Sequence, residues 1–109
     1  MMRIEVLYFD GCPNHEAFLP HLRDLVGETG AAAEVVEVRV DSPADADRKR
    51  FLGSPTVRVD GRDVDPGAGD RTDYGLKCRL YATAQGLRGT PPDDWVRAAL
   101  APAGDAGGG

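Results

Sequence analysis

Apolar positions along the chain come in short runs whose spacing switches between strand and helix periods. Ile4-Glu5-Val6-Leu7-Tyr8-Phe9 is nearly continuously apolar and rich in β-branched and aromatic residues, as expected for a strand covered on both faces. Asp10-Gly11 breaks the run, and Pro13 suits a first helical position, where a missing N–H costs nothing. Phe18, Leu19, Leu22, Leu25 and Val26 then recur at helical spacing, with Pro20 predicted to kink the helix and Gly27 and Gly30 to end it. Glu34 to Val40 is a second strand with Val36, Val38 and Val40 on one face. Ser42 reads as the cap, Pro43 as the first residue and Asp45 as the acidic first turn of a short polar helix, which closes with Phe51-Leu52 before Gly53.

Val57-Arg58-Val59 is a third strand, Asp60-Gly61 a two-residue hairpin signal, and Arg62 to Asp65 the returning edge strand. Residues 66–91 have no single period. Tyr74 to Ala84 reads as a short helix or as an extended segment. Thr90 to Asp94 opens a last helix with Trp95, Val96, Ala99 and Leu100 on its buried side. Residues 101–109 lack periodicity and read as a flexible tail after a single domain over 1–100. The order β-α-β-α-β-β-α requires a right-handed parallel crossover followed by a hairpin. An α/β fold with one four-stranded mixed sheet and helices on both faces accommodates both.

The total of 109 residues suits one core, and 41% hydrophobic with 28% charged residues is an ordinary globular profile. A net charge of −5, with no basic stretch interleaved with aromatics, argues against nucleic acid as a partner. No apolar run is long enough for a membrane span, and the N-terminus has no signal-peptide pattern, so the expected compartment is the cytoplasm. Two cysteines are too few for a disulfide scaffold and read as reactive, metal-binding or inert. The edge strand around Arg62 leaves room for a dimer, and the sequence leaves the oligomeric state open.

Candidate chemistry centres on Tyr8 to His15. Cys12 lies at a helix start, where unpartnered N–H groups and the helix dipole favour a thiolate. His15, three residues on, is read as a solvent-facing helix residue or as a proton carrier for Cys12. Asp10 reads as a turn-former, His21 as exposed, and Tyr8, Tyr74 and Tyr81 as packing residues. Asp63, Asp65, Asp70 and Asp73 lack calcium-loop spacing and read as solvated. The returning strand brings residues 66–91 back to the Cys12 end, so Cys78 can come within disulfide reach, with Lys77 and Arg79 expected to favour its thiolate. Three readings of the pair stand: Cys12 as nucleophile with Cys78 resolving, a two-thiolate site for Hg, Cu or Zn, with or without His15 or Asp10 as a further ligand, or Cys78 as a small buried hydrophobe.

Gly11-Cys12-Pro13 after the first strand and Gly53-Ser54-Pro55-Thr56 before the third resemble the thioredoxin-like superfamily over roughly residues 3 to 100. Within it the chain is similar to small bacterial thioredoxin-like proteins with a Gly-Cys-Pro-Asn start, some labelled alkylmercury lyase. The resemblance implies a cis Pro55 against the active cysteine, Ser54 and Pro55 as binding residues, and Cys12 in the nucleophile's place. It implies a thiol or disulfide substrate, protein or small molecule, and no cofactor other than a soft metal in the alternative reading. The chain departs from the family's Cys-x-x-Cys at His15, which occupies the resolving position, so no dithiol cycle can run within Cys12-Pro13-Asn14-His15.

Overall fold

A computed structural model describes residues 2–30 and 32–101; the expected tail, apart from Ala101, lies outside the described residues. The elements are β1 (Met2–Tyr8), α1 (Asn14–Thr29), β2 (Ala33–Arg39), α2 (Pro43–Lys49), β3 (Thr56–Val59), β4 (Arg62–Asp63), β5 (Tyr81–Thr83), β6 (Gly86–Arg88) and α3 (Asp93–Leu100), with a single 3-10 turn over Ala68–Asp70. Four strands form a mixed sheet in the order β2-β1-β3-β4. β1 runs parallel to β2 and antiparallel to β3, with Val6 opposite Glu37 on one side and Val57 on the other.

Alternation along β1 sorts the core onto two faces. Ile4 and Val6, with Val57 and Val59 of β3, pack against Phe18, Leu22 and Leu25 of α1 and Val96 and Leu100 of α3. Leu7 and Val40 face the other way, onto Ala46 of α2 and Phe51. Helices therefore cover both faces. None of the helices among the described residues is long and apolar enough to cross a membrane.

Local signals explain most element boundaries. Ser42 Oγ accepts from the Asp45 N–H at 3.0 Å, with Pro43 behind it as the first helical residue. Hydrogen bonds from Lys49 and Arg48, and from the Asp41 N–H, hold the buried Asp45 carboxyl well below the usual carboxylate range. Asp60 and Gly61 both take positive φ (51° and 85°), the pairing a primed two-residue hairpin turn needs.

Three expectations need correction, and one open alternative is decided. α2 stops at Arg50, which adopts the left-handed conformation at φ 53°, and not at Gly53; the Arg50 N–H then closes back onto Ala46 and Asp47. α1 runs through Gly27 and ends only at Gly30. β4 is two residues long and does not reach Asp65. Of the two forms open to the Tyr74–Ala84 stretch, the extended one holds: it passes through an isolated bridge between Ser54 and Cys78 and into the antiparallel hairpin β5–β6. Its alternation of exposed Cys78, buried Arg79, exposed Leu80 and buried Tyr81 is the period of an extended chain.

Candidate functional site: a cysteine pair under a pinned strand

Cys12 follows the Asp10–Gly11 turn at the end of β1, where its N–H donates to the Phe9 carbonyl at 3.3 Å and α1 begins two residues later. Its side chain is 1% exposed, and Sγ is 3.5 Å from the Ser54 carbonyl oxygen, to which it donates. The Ser54–Pro55 bond is cis, and residues 51 to 57 are all buried. Ser54 Oγ is buried with no hydrogen-bond partner among the described residues.

Cys78 reaches this point by a strand-like docking of residues 77–79 onto Ser54. The Ser54 N–H donates to the Lys77 carbonyl at 2.8 Å, and the Arg79 N–H donates to the Ser54 carbonyl at 2.9 Å. The two cysteines approach to 2.8 Å as free thiols. They differ in access: Cys12 is buried and Cys78 is exposed. The reading of Cys78 as a buried hydrophobe is therefore corrected.

Arg79 pins this strand in place. It is the largest fully buried side chain in the described structure. Nη1 and Nη2 donate to the two Asp63 carboxylate oxygens at 2.7 and 3.1 Å, Nη2 to Asp65 Oδ2 at 3.3 Å, and Nη1 to Thr56 Oγ1 at 3.2 Å. Its guanidinium carbon lies 4.3 Å from the centre of the Tyr81 ring, and the Tyr81 hydroxyl donates to the Pro55 carbonyl. Burying an arginine is costly unless its charge is met, and the Asp-x-Asp spacing of residues 63 and 65 supplies two carboxylates for the two terminal nitrogens, while Nε has no hydrogen-bond partner among the described residues. Asp63 and Asp65 are thus partners of a buried cation and not solvated groups, while Asp70 is exposed and Asp73 accepts from Arg71 and Lys77.

The backbones of Gly53 and Arg79 are in close approach. Gly53 has φ 126°, and a Cβ there would come 2.9 Å from Arg79 Cα. A Gly53→Ala substitution meets both a left-handed backbone and a backbone clash. We expect it to cost about 1–3 kcal/mol from conformation alone and to lift the Arg79 strand. Urea unfolding measures the first effect, and a loss of Cys12–Cys78 proximity by cross-linking measures the second; unchanged values of both would contradict this account.

His15 is neither solvent-facing nor seen on the Cys12 sulfur. It is 7% exposed, its ring stacks on Tyr8 at 4.2 Å between centroids, and Nδ1 lies 3.0 Å from the Cys12 carbonyl oxygen. A carbonyl only accepts, so Nδ1 carries the proton in this arrangement. His15 thus ties the first turn of α1 to the end of β1. Asp10 sits in the turn and pairs with Arg39 at 2.6 Å, and exposed His21 pairs with Asp93 at 2.6 Å. Lys77 turns to Asp73 at 2.9 Å and Arg79 turns inward, so neither charge acts on Cys78 as expected.

The Cys78 thiol is instead pushed up, first by its hydrogen bond with Cys12, then by desolvation and by the charge on Cys12. A raised value keeps Cys78 protonated to higher pH, and removing Cys12 takes away the largest cause of the raise. In Cys12→Ala, iodoacetamide alkylation of Cys78 should therefore follow a titration shifted down towards the ordinary thiol value of about 8.5. A pH–rate profile of Cys78 unmoved by this substitution would show that the two sulfurs do not share a proton.

Among the described residues, no three His, Cys, Asp or Glu side chains gather as they would around a metal ion. Two cavities, of about 590 and 740 Å³, lie along the β4 edge and beside Trp95, and neither is lined by Cys12 or Cys78. The sequence puts Cys12, Ser54 and Pro55 at one end of the sheet and only allows Cys78 to reach it; the pairing of a buried Arg79 with Asp63, Asp65 and the Tyr81 ring is not in its readings. No protein-family model matches this chain, and no curated protein matches it either.

Proposed function

We propose that the protein is a thioredoxin-like thiol–disulfide redox protein whose redox pair is Cys12 and Cys78. One observation carries the reading: two cysteines far apart in sequence approach to 2.8 Å as free thiols at a strand–helix junction. The β2-β1-β3-β4 strand order, the helices on both faces and the cis proline beside Cys12 support the thioredoxin-like assignment. Cys78 supplies the second thiol that His15 withholds from the Cys12 motif. In the reaction, an incoming disulfide takes two electrons and two protons from the pair. Its S–S bond breaks, two thiols leave, and a Cys12–Cys78 bond forms.

Mild oxidant should convert the monomer to a species lighter by two hydrogens with no free thiol, and Cys78→Ser should abolish that species. Intact mass spectrometry without reductant reads the result. A wild-type chain that keeps both thiols sinks the redox reading. A pair of sulfurs also suits two-coordinate capture of a soft ion such as Hg(II) or Cu(I). Undiminished Hg(II) binding by Cys78→Ser would remove that second reading.

A further inference from the structure

We infer that exchange at this pair enters through Cys78, with Cys12 as the interior partner, and that its reagents are small thiols and disulfides and not extended protein strands. The inference rests on the redox reading above and assigns the order of attack and the substrate class within it. It reverses the roles expected from sequence, where Cys12 is the nucleophile and Cys78 resolves.

Access decides the first part. Thiol–disulfide exchange needs three sulfurs in line and an open path to the one attacked. Cys12 is 1% exposed and capped by the Ser54 carbonyl, whereas Cys78 is exposed and lies within 2.8 Å of Cys12. A reagent arriving from solvent meets Cys78 first, with Cys12 behind it. From the oxidised pair, a thiolate RS⁻ attacks Cys78 Sγ and the Cys12–Cys78 bond breaks. The electron pair departs on Cys12 Sγ, two residues before the first turn of α1, whose dipole favours negative charge near its start. A second RS⁻ attacks the R sulfur of the Cys78 mixed disulfide, RSSR leaves, and both protein thiolates take up protons from water.

Hydrogen bonding decides the second part. An extended partner docks beside a nucleophile by pairing with free backbone groups of an exposed edge. Both the N–H and the carbonyl of Ser54, the residue touching Cys12, are already taken by residues 77 and 79 of the same chain. That occupying strand cannot lift cheaply, because the Arg79 side chain beside it is 0% exposed and bound to Asp63 and Asp65. Of the two cysteines, only Cys78 is exposed there.

Single-cysteine variants test the order. With the aromatic disulfide of 5-thio-2-nitrobenzoate as probe, Cys12→Ser should form its mixed disulfide on Cys78 about tenfold or more faster than Cys78→Ser forms one on Cys12. Equal rates, or a faster Cys12, overturn the inference. Sub-stoichiometric iodoacetamide on the reduced wild-type protein, mapped by peptide mass, gives the same order without a substitution: Cys78 first supports it, Cys12 first overturns it. For size, the same leaving thiol is carried on cysteine or on an extended peptide. A slower peptide supports the inference, and a peptide as fast as or faster than the cysteine probe overturns it. If the wild-type chain forms no Cys12–Cys78 disulfide, the redox reading fails and this inference with it. If that bond forms and Cys12 still reacts first, only the inference fails.

Discussion

Arg79→Met lowers the free energy of unfolding by about 3–5 kcal/mol, the range for breaking a buried ion pair by removing one partner. The loss is large because two carboxylates share this cation. Asp63 and Asp65, each 14% exposed at the side chain, are left facing an apolar group of similar volume. Thr56 Oγ1 also loses a donor, and Tyr81 loses the cation against its ring. Arg79→Lys restores the charge without the planar fork and recovers only part of the loss. Tyr81→Phe, which removes one donor to the Pro55 carbonyl, costs about 1–3 kcal/mol. Because whole domains of this size are held by about 5–15 kcal/mol, Arg79→Met is close to the limit of what the fold survives. Urea denaturation followed by the fluorescence of Trp95, which packs edge-on against Tyr81, reads all three variants. A loss below about 1 kcal/mol for Arg79→Met would mean that the cation is not matched to its carboxylates in the way described.

The second large effect is the stability difference between the oxidised and reduced protein. A Cys12–Cys78 bond would tie together points separated by most of the domain. On the chain-entropy account such a loop stabilises by about 4 kcal/mol, and typical disulfides by about 2–4 kcal/mol. The oxidised protein should therefore unfold at higher denaturant concentration, with a shallower slope because its cross-linked unfolded chain exposes less surface. Cys78→Ser should show one transition under both conditions, coincident with that of the reduced wild type to within the cost of the substitution. A pair that oxidises with no gain in stability would mean that the native structure gives up in fit what the unfolded chain loses in freedom.

Much of this was legible in the chain because the signals are local. The apolar run of β1, the Ser42–Pro43 cap and the Asp60–Gly61 turn each state their structure within a few residues, and the crossover rule then orders the sheet. Strand directions alone bring the 66–91 segment back to the Cys12 end, and leave open whether Cys78 meets Cys12. Arg79 was missed because burial of a charge is a non-local fact. It depends on carboxylates supplied from another element, and those were read as solvated. The residue pattern did hold a trace of it: Cys78-Arg79-Leu80-Tyr81 alternates between outward and inward positions, as does the Asp63-Val64-Asp65 stretch across from it. Read as a two-residue period, the pattern puts Arg79 and Tyr81 on one side and matches them to the acids. The helical reading of Tyr74 to Ala84 competes with it. His15 was misjudged for a similar reason, since its burial comes from Tyr8, at the end of a different element.

The docking of residues 77–79 onto Ser54 also sets how this chain can change length. Two backbone hydrogen bonds and one buried side chain fix the position of Cys78, so the stretches on either side need only span a distance. Doubling the length of such a connection costs only about 0.6 kcal/mol in closure entropy. The exposed turns at Gly69 and Gln85 are therefore places where residues can be inserted or deleted while the two sulfurs keep their separation. A stapled point between elastic flanks allows the surface around the cysteines to be remodelled without rebuilding the pair.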